Sequence, residues 1–413
     1  MHTRANATVA ERMAFVVELA RHLHAYGTTA QRLEGAVEKV ANRLDLGCEP
    51  WATPTGLIMS FRDLADASGG DTTRVLRVGL GETNLRKLAA ADRIAEDVMA
   101  GRTGIQAGRA ALAELSRSPR RAELAAQLAA FGLASAALAG LLRLPWLDIA
   151  TAGLIGLLVG VLEVLVTPRR PRLSEASEAV AGLLAGTVAI LVASLVGPLN
   201  LNTVIIASVV VLLPGLSLTN AMNELTSRHL VTGTARFAGA LATVMKLVIG
   251  TAIAVFVATR LGLEPQVRAA RPQPEWVAWL ALPVACYAFA VLFRAKRRDY
   301  PLVMAAAALG FLVSRWAGEA WGVVAGIFLG ALVVTAAGNA YARWMDRPGA
   351  LVRVPGIIML VPGSLALRGL MTLVQQQDLT AGQVPALAVV NTLMAILAGL
   401  LFGNLLLPTR RLL

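Results

Sequence analysis

LLPGLSLTN, residues 212–220, lies inside an apolar run from about Asn200 to Leu225. Proline removes a backbone donor and obstructs the carbonyl one turn earlier. Glycine lets the chain leave helical angles. Side by side, Pro214 and Gly215 interrupt the helix that the surrounding apolar residues would otherwise form. A second string of the same kind, LVPGSLALR (360–368), sits in another apolar run. The match covers VLLPG (211–215) and MLVPG (359–363), and the two pairs are 148 residues apart.

Working outward, the chain has 413 residues, 56% hydrophobic and only 15% charged, too apolar for an ordinary soluble protein. The apolar residues are unevenly placed. Residues 1–121 hold 17 Lys or Arg and 14 Asp or Glu, a soluble mixture. Beyond them come apolar runs of about 20 residues, the length that crosses a bilayer core. They lie at about 123–143, 146–166, 177–197, 200–224, 234–259, 276–294, 300–317, 320–344, 353–374 and 384–407. The pattern predicts an α-helical polytopic membrane protein with ten transmembrane helices behind a soluble α+β domain. The expected divisions are 1–121, 122–260 and 261–413.

With the first domain in the cytoplasm, loops on that side hold 14 Lys or Arg against 5 on the other. That bias places both termini in the cytoplasm. It also accounts for the net charge of +12 without nucleic acid, for which no binding motif is present. Each Pro-Gly pair falls in the fourth span of a five-span set. Five is odd, so the second set enters from the opposite side, the inverted-repeat plan of many secondary transporters.

Backbone groups freed at such a break cannot face lipid. They point into a cavity, and a half-helix beginning there offers its N–H groups and positive end to an anion. The substrate-binding residues expected from this are Pro214, Gly215, Ser217, Thr219 and Asn220, with Pro362, Gly363, Ser364 and Arg368 from the second break. Lys246, about 15 Å from either end of its span, is added as a cation facing the cavity or a carboxylate. Its expected partners are Glu163 or Glu224. Glu163 is the expected carrier of a coupling proton. Asn339, Asn391 and Asn404 read as interhelical hydrogen-bond partners.

In the first domain, 11–25 and 29–44 read as helices, 48–61 as strand, turn and strand, and 72–80 as a third strand. Residues 83–100 and 104–117 read as helices again. An enzyme is not expected. There is no G-x-S-x-G elbow around Ser60, Thr53 or Thr55, and His22 and His24 point apart on a helix. GLGET (79–83) lacks a Walker lysine, and no P-loop occurs, so direct ATP-driven pumping is not expected. Cys48 and Cys286 form neither metal-ligand spacing nor a disulfide framework. No metal or cofactor is expected. MHTRANATVAERMAFVVELARHL reads as an amphipathic helix and not a signal peptide.

GTTAQRLEG (27–35), WATPTG (51–56), PGLSLTNAMNEL (214–225), TGTAR (232–236) and VPGIIMLVPG (354–363) together resemble the threonine/serine exporter family. The resemblance covers nearly the whole chain. It implies a ten-helix exporter of L-threonine and L-serine in a bacterial cytoplasmic (inner) membrane, driven by the proton gradient. Some relatives are linked instead to dicarboxylate export. Two positions depart from the family pattern: His229 and Gly239 stand where acids are expected. The expected partners are a small-molecule substrate, protons and the lipid bilayer, and a homo-oligomer is compatible with the pattern. The first domain is expected to pack below the pore and affect gating. A membrane-anchored enzyme or sensor is the third alternative.

Overall fold

A computed structural model of the chain describes residues 7–65, 70–268, 272–361, 363–376 and 379–408. Pro362 therefore lies outside the described residues.

The amino-terminal unit begins with α1 (Val9–Ala25). Thr8 accepts from the Glu11 amide while the Glu11 side chain reaches back to Thr8, a capping box that fixes the start. Helix α2 (Ala30–Arg43) follows, then β1 (Leu46–Thr53) and β2 (Gly56–Asp63). Thr53 pairs with Gly56 across the Pro54-Thr55 turn, and β3 (Thr72–Arg77) pairs antiparallel with β2. Helices α3 (Leu85–Met99) and α4 (Ile105–Leu115) close the unit. In β2, side chains alternate between the two faces of the sheet. Leu57, Met59 and Phe61 point inward against Phe15, Leu19 and Val37 of the first two helices.

The rest is helical: α5 (Arg121–Leu141), α6 (Trp146–Val161), a short α7 (Pro171–Ser174), α8 (Ser177–Leu195), α9 (Leu201–Ser208), α10 (Gly215–Thr226) and α11 (Leu230–Arg260). Then come α12 (Glu275–Leu292), α13 (Tyr300–Trp321), α14 (Val323–Met345), α15 (Ala350–Ile358), α16 (Gly363–Gln376) and α17 (Leu379–Leu406). Among the described residues nine stretches are long and apolar enough to cross a membrane, or ten when α9 and α10 count as one span.

Those two segments meet at 57°. Leu213 is extended, Pro214 caps α10, and a short helical turn at Val210–Leu212 precedes them. The ninth span is interrupted between Ile358 and Gly363.

Packing is similar in the two halves. The third span lies on the fifth (α8 on α11, α14 on α17). The second lies on the first segment of the fourth (α6 on α9, α13 on α15). The second segment of the fourth lies on the fifth (α10 on α11, α16 on α17). Across the halves, α10 meets α17 while α16 meets α11. Small residues permit this closeness, because lipid gives helices no hydrophobic reason to associate. A Cβ on Gly182 of α8 would collide with the Leu247 carbonyl of α11, and one on Gly250 with the Ala179 carbonyl.

The two breaks touch. A Cβ on Gly363 would lie 3.4 Å from the Gly215 nitrogen and 3.5 Å from its Cα. A Cβ on Gly215 would collide with Val361.

Candidate functional site

Two cavities flank the touching breaks. The first, about 110 Å³, takes Thr219, Asn220 and Asn223 from α10, Arg353 from α15 and Asn404 from α17. The amino-terminal unit adds Thr28 and Thr29 from the α1–α2 turn, Arg32 from the first turn of α2, and Leu85 and Leu88 from α3. The second, about 210 Å³, is mostly apolar, with Leu138, Leu213 and Phe289 beside Gly215, Gly363 and Ser364.

The polar cavity holds two guanidinium groups and, among its described lining residues, no carboxylate. Arg353 is 3% exposed and donates to Asn339 Oδ1 at 3.1 Å. Asn339 in turn donates to Asn404 Oδ1 (2.9 Å) and the Leu407 carbonyl (2.8 Å). This chain aims Arg353 without neutralising it. Arg32 makes no ion pair with the described residues, and burial of its charged end alone pulls its pKa down to about 10. It is still a cation at neutral pH. A buried charge without a counter-ion, as at Arg353, costs several kcal/mol, so Arg353 with the half-buried Arg32 beside it marks a place for an anion. The Thr28, Thr29 and Thr219 hydroxyls are buried with no hydrogen-bond partner among the described residues. They supply further donors.

Glu224 holds this wall in place. It is fully buried, and its Oε1 accepts from the Ala30 amide at 3.1 Å, at the positive end of α2. Arg236 donates to both oxygens, at 2.9 and 3.1 Å. Nearby, His229 Nε2 lies 2.8 Å from Glu34 Oε2, and Glu34 Oε1 accepts from the Ala52 amide at 2.8 Å. Thr232 donates to the Ala52 carbonyl at 2.7 Å.

The expected site residues are thus divided. Thr219 and Asn220 line the polar cavity; Gly215, Gly363 and Ser364 line the apolar one. Pro214 caps α10, and Ser217 is half-buried, lining neither cavity. Two placements need correction. Lys246 pairs with Glu178 at 3.3 Å, not with Glu163 or Glu224. It lies sixteen residues into α11 from Leu230, about 24 Å along the axis, whereas Arg236 near the start is what Glu224 meets. Arg368 is exposed on α16 and lines neither cavity. Depth in a span does not fix the direction a side chain faces. Glu163 sits in a wide π-type turn, Leu162–Val166, near Ser177 and Glu178, with its Oε1 buried and unpartnered among the described residues.

Arg32 and Arg353 were both missed. Arg32 reads as one charge on the polar face of an amphipathic helix, and Arg353 as one more loop cation. The available signal for Arg32 was its place in GTTAQRLEG, one of the stretches carrying the family resemblance.

A polytopic helical protein with an interrupted span opening on an unneutralised cationic cavity is built as a transporter. The sequence pattern of the threonine/serine exporters matches residues 14–258, and a second pattern, Threonine/Serine exporter, ThrE, matches residues 278–406. The chain belongs to the threonine/serine exporter family. It is similar to pheromone-regulated membrane protein 10 of Candida albicans, 24% identical over 87% of this chain and 33% of that protein. The protein of that name from Saccharomyces cerevisiae is 23% identical over 93% of this chain and 49% of the relative. An uncharacterized protein of Schizosaccharomyces pombe is 22% identical over 88% and 49%. The chain thus spans about a third of the length of the Candida relative. No solved structure matches. These yeast relatives overturn the expected bacterial inner membrane: proteins matching over most of the chain are eukaryotic, and those of Candida albicans and Saccharomyces cerevisiae are membrane proteins by name.

Proposed function

We propose that the chain is a secondary transporter that exports small hydroxy amino acids, L-threonine and L-serine, through the polar cavity at the paired breaks. The observation that carries this reading is the pair of guanidiniums, Arg32 and Arg353, facing one cavity with no carboxylate among its described lining residues. Arg353 would bind the substrate carboxylate bidentately, while Asn220, Asn223 and Thr219 meet its hydroxyl and ammonium. The repeated packing of the two halves and the contact of Gly215 with Gly363 support an inverted repeat, with divisions at 1–121, 122–260 and 261–413. In that plan the two cavities are the two half-pathways, separated by the breaks. Glu163, with its unpartnered oxygen, is the proposed proton carrier.

A dicarboxylate is the second reading, and the same two cations favour it. A zwitterion leaves the cavity with its excess positive charge; a dianion of succinate type balances both. Counterflow in proteoliposomes with labelled threonine, serine and succinate tests the function. Saturable threonine or serine exchange that Arg353→Gln abolishes is expected. Exchange of succinate alone installs the second reading, and exchange of none removes both.

A further inference from the structure

We propose that the α1–α2 turn of the amino-terminal unit, together with the first turn of α2, is the gate over the polar cavity, and that Arg32 in that first turn of α2 binds the carboxylate of the transported solute. This rests on the reading of the polar cavity as the solute site.

Arg32 is the one cation of that turn facing the cavity, and no described carboxylate neutralises it. Its neighbours Glu34 and Glu224 are both engaged elsewhere: Glu34 with His229 and the Ala52 amide, Glu224 with Arg236 and the Ala30 amide. Two acids within reach of helix α2 are therefore turned away from Arg32, which leaves its charge for a visitor. The hydroxyls of Thr28 and Thr29, four and three residues before it, are likewise buried without partners among the described residues. An anion reaching Arg353 from the membrane part thus meets a second donor set brought by the other unit.

The same turn is what must move. The unit is tied to the membrane part on two sides. On one, the Leu85 and Arg86 amides donate to the Phe293 and Arg294 carbonyls, and Arg86 pairs with Glu123 at 2.7 Å. That side adjoins the chain connection into α5 and serves as the hinge. On the other, the ties fall on the end of α10, the following turn and the start of α11: Ala30 to Glu224, the Ser227 hydroxyl to Gln31 at 3.2 Å, Glu34 to His229 at 2.8 Å, and the Thr232 hydroxyl to the Ala52 carbonyl at 2.7 Å. These four ties are polar, and releasing them lifts Arg32 from the cavity. Gly27, with φ of +81°, lets the turn pass close over Thr83, where a Cβ would meet backbone at 3.0 Å. The turn is thus shaped by the unit itself and can travel with it.

The full chain in proteoliposomes tests both parts. Arg32→Gln should raise the half-saturating concentration of whichever of threonine, serine or succinate exchanges by at least tenfold, and Arg32→Lys by less. An unchanged half-saturation in Arg32→Gln overturns the binding role. Should Arg353→Gln also leave saturation unchanged, the cavity is not the solute site, and the failure belongs to that reading instead. For the gate, the Gln31→Cys, Ser227→Cys pair is bridged with a short bifunctional thiol reagent that reductant cleaves. The native thiols do not interfere: Cys48 and Cys286 are buried, and burial pushes Cys48 up to about 12. Bridging should cut exchange at least tenfold, with recovery on reduction. Exchange at the unbridged rate after bridging overturns the gate, whatever the point variants do.

Discussion

Glu224 shows how a single side chain joins two parts of the molecule. Its carboxylate is fully buried, so its charge is tolerable only because Arg236 donates to both oxygens and the Ala30 amide to one. Glu224→Gln keeps an acceptor for the amide but leaves Arg236 without its counter-ion. Removing one partner of such a buried pair costs about 3 kcal/mol. A lower melting temperature for the full chain in detergent, with a larger fall for Glu224→Gln than for Glu178→Gln, is the expected outcome. Glu178 and Lys246 are more exposed, and such pairs contribute little. His24 gives a pH dependence. Burial holds its pKa below the ordinary 6.5, although its Nε2 lies 3.1 Å from both the Pro54 and Gly79 carbonyls. The folded state therefore prefers neutral His24, and the unfolded chain takes the proton first. Stability is undiminished above pH 6.5 and falls as the pH drops through that value toward the lower folded one. His22 is shifted the same way by burial and adds to the slope. A glutamine amide at position 24 can donate to both carbonyls without titrating. Melting curves from pH 7.5 to 5.5 should be flatter for His24→Gln than for the parent.

At the scale of elements, the breaks matter more than the helices. Gly215→Ala places a methyl group against Val361, whereas Gly363→Ala meets Leu213 Cβ at 3.0 Å. Overpacking of this kind costs about 1–3 kcal/mol, and each 1.36 kcal/mol on a barrier is tenfold in rate. Counterflow should fall about tenfold in Gly215→Ala and less in Gly363→Ala; equal rates for the two and the parent would mean that the breaks do not govern passage. The spans themselves were legible, because about 20 apolar residues without charge admit few other structures. Span five was read as starting at 234, but helix α11 begins at Leu230. Thr232, Gly233 and Thr234 break the apolar run there and hide its first turn. The unit's hairpin was legible from Pro54 and Gly56. What could not be read was facing. Lys246 and Arg368 looked central because of their position along a span, yet one pairs with Glu178 and the other is exposed. Arg32 and Arg353 looked peripheral and line the cavity. Sequence gives depth along a helix; which neighbour a side chain meets depends on packing between helices far apart in the chain.

At the scale of the whole molecule, the two cavities make a prediction about sidedness. Asn220 lines the one beneath the amino-terminal unit and Ser364 the one across the breaks. Single cysteines at these positions should react with impermeant thiol reagents from opposite faces of the membrane. Saturating solute should change the two rates in opposite senses, and parallel changes would count against alternating half-pathways. Helix α10 carries Gly215 at one end and Glu224 nine residues on, a rod of about 14 Å. Tilting such a rod by about 20° at the break swings its far end by about 5 Å, more than the Ala30 bond can follow. Solute occupancy and seating of the unit are then linked equilibria, and linkage is reciprocal. A antibody fragment that clamps the unit down from outside, touching nothing in the bilayer, would shift solute affinity by the same factor by which solute shifts the affinity of the fragment.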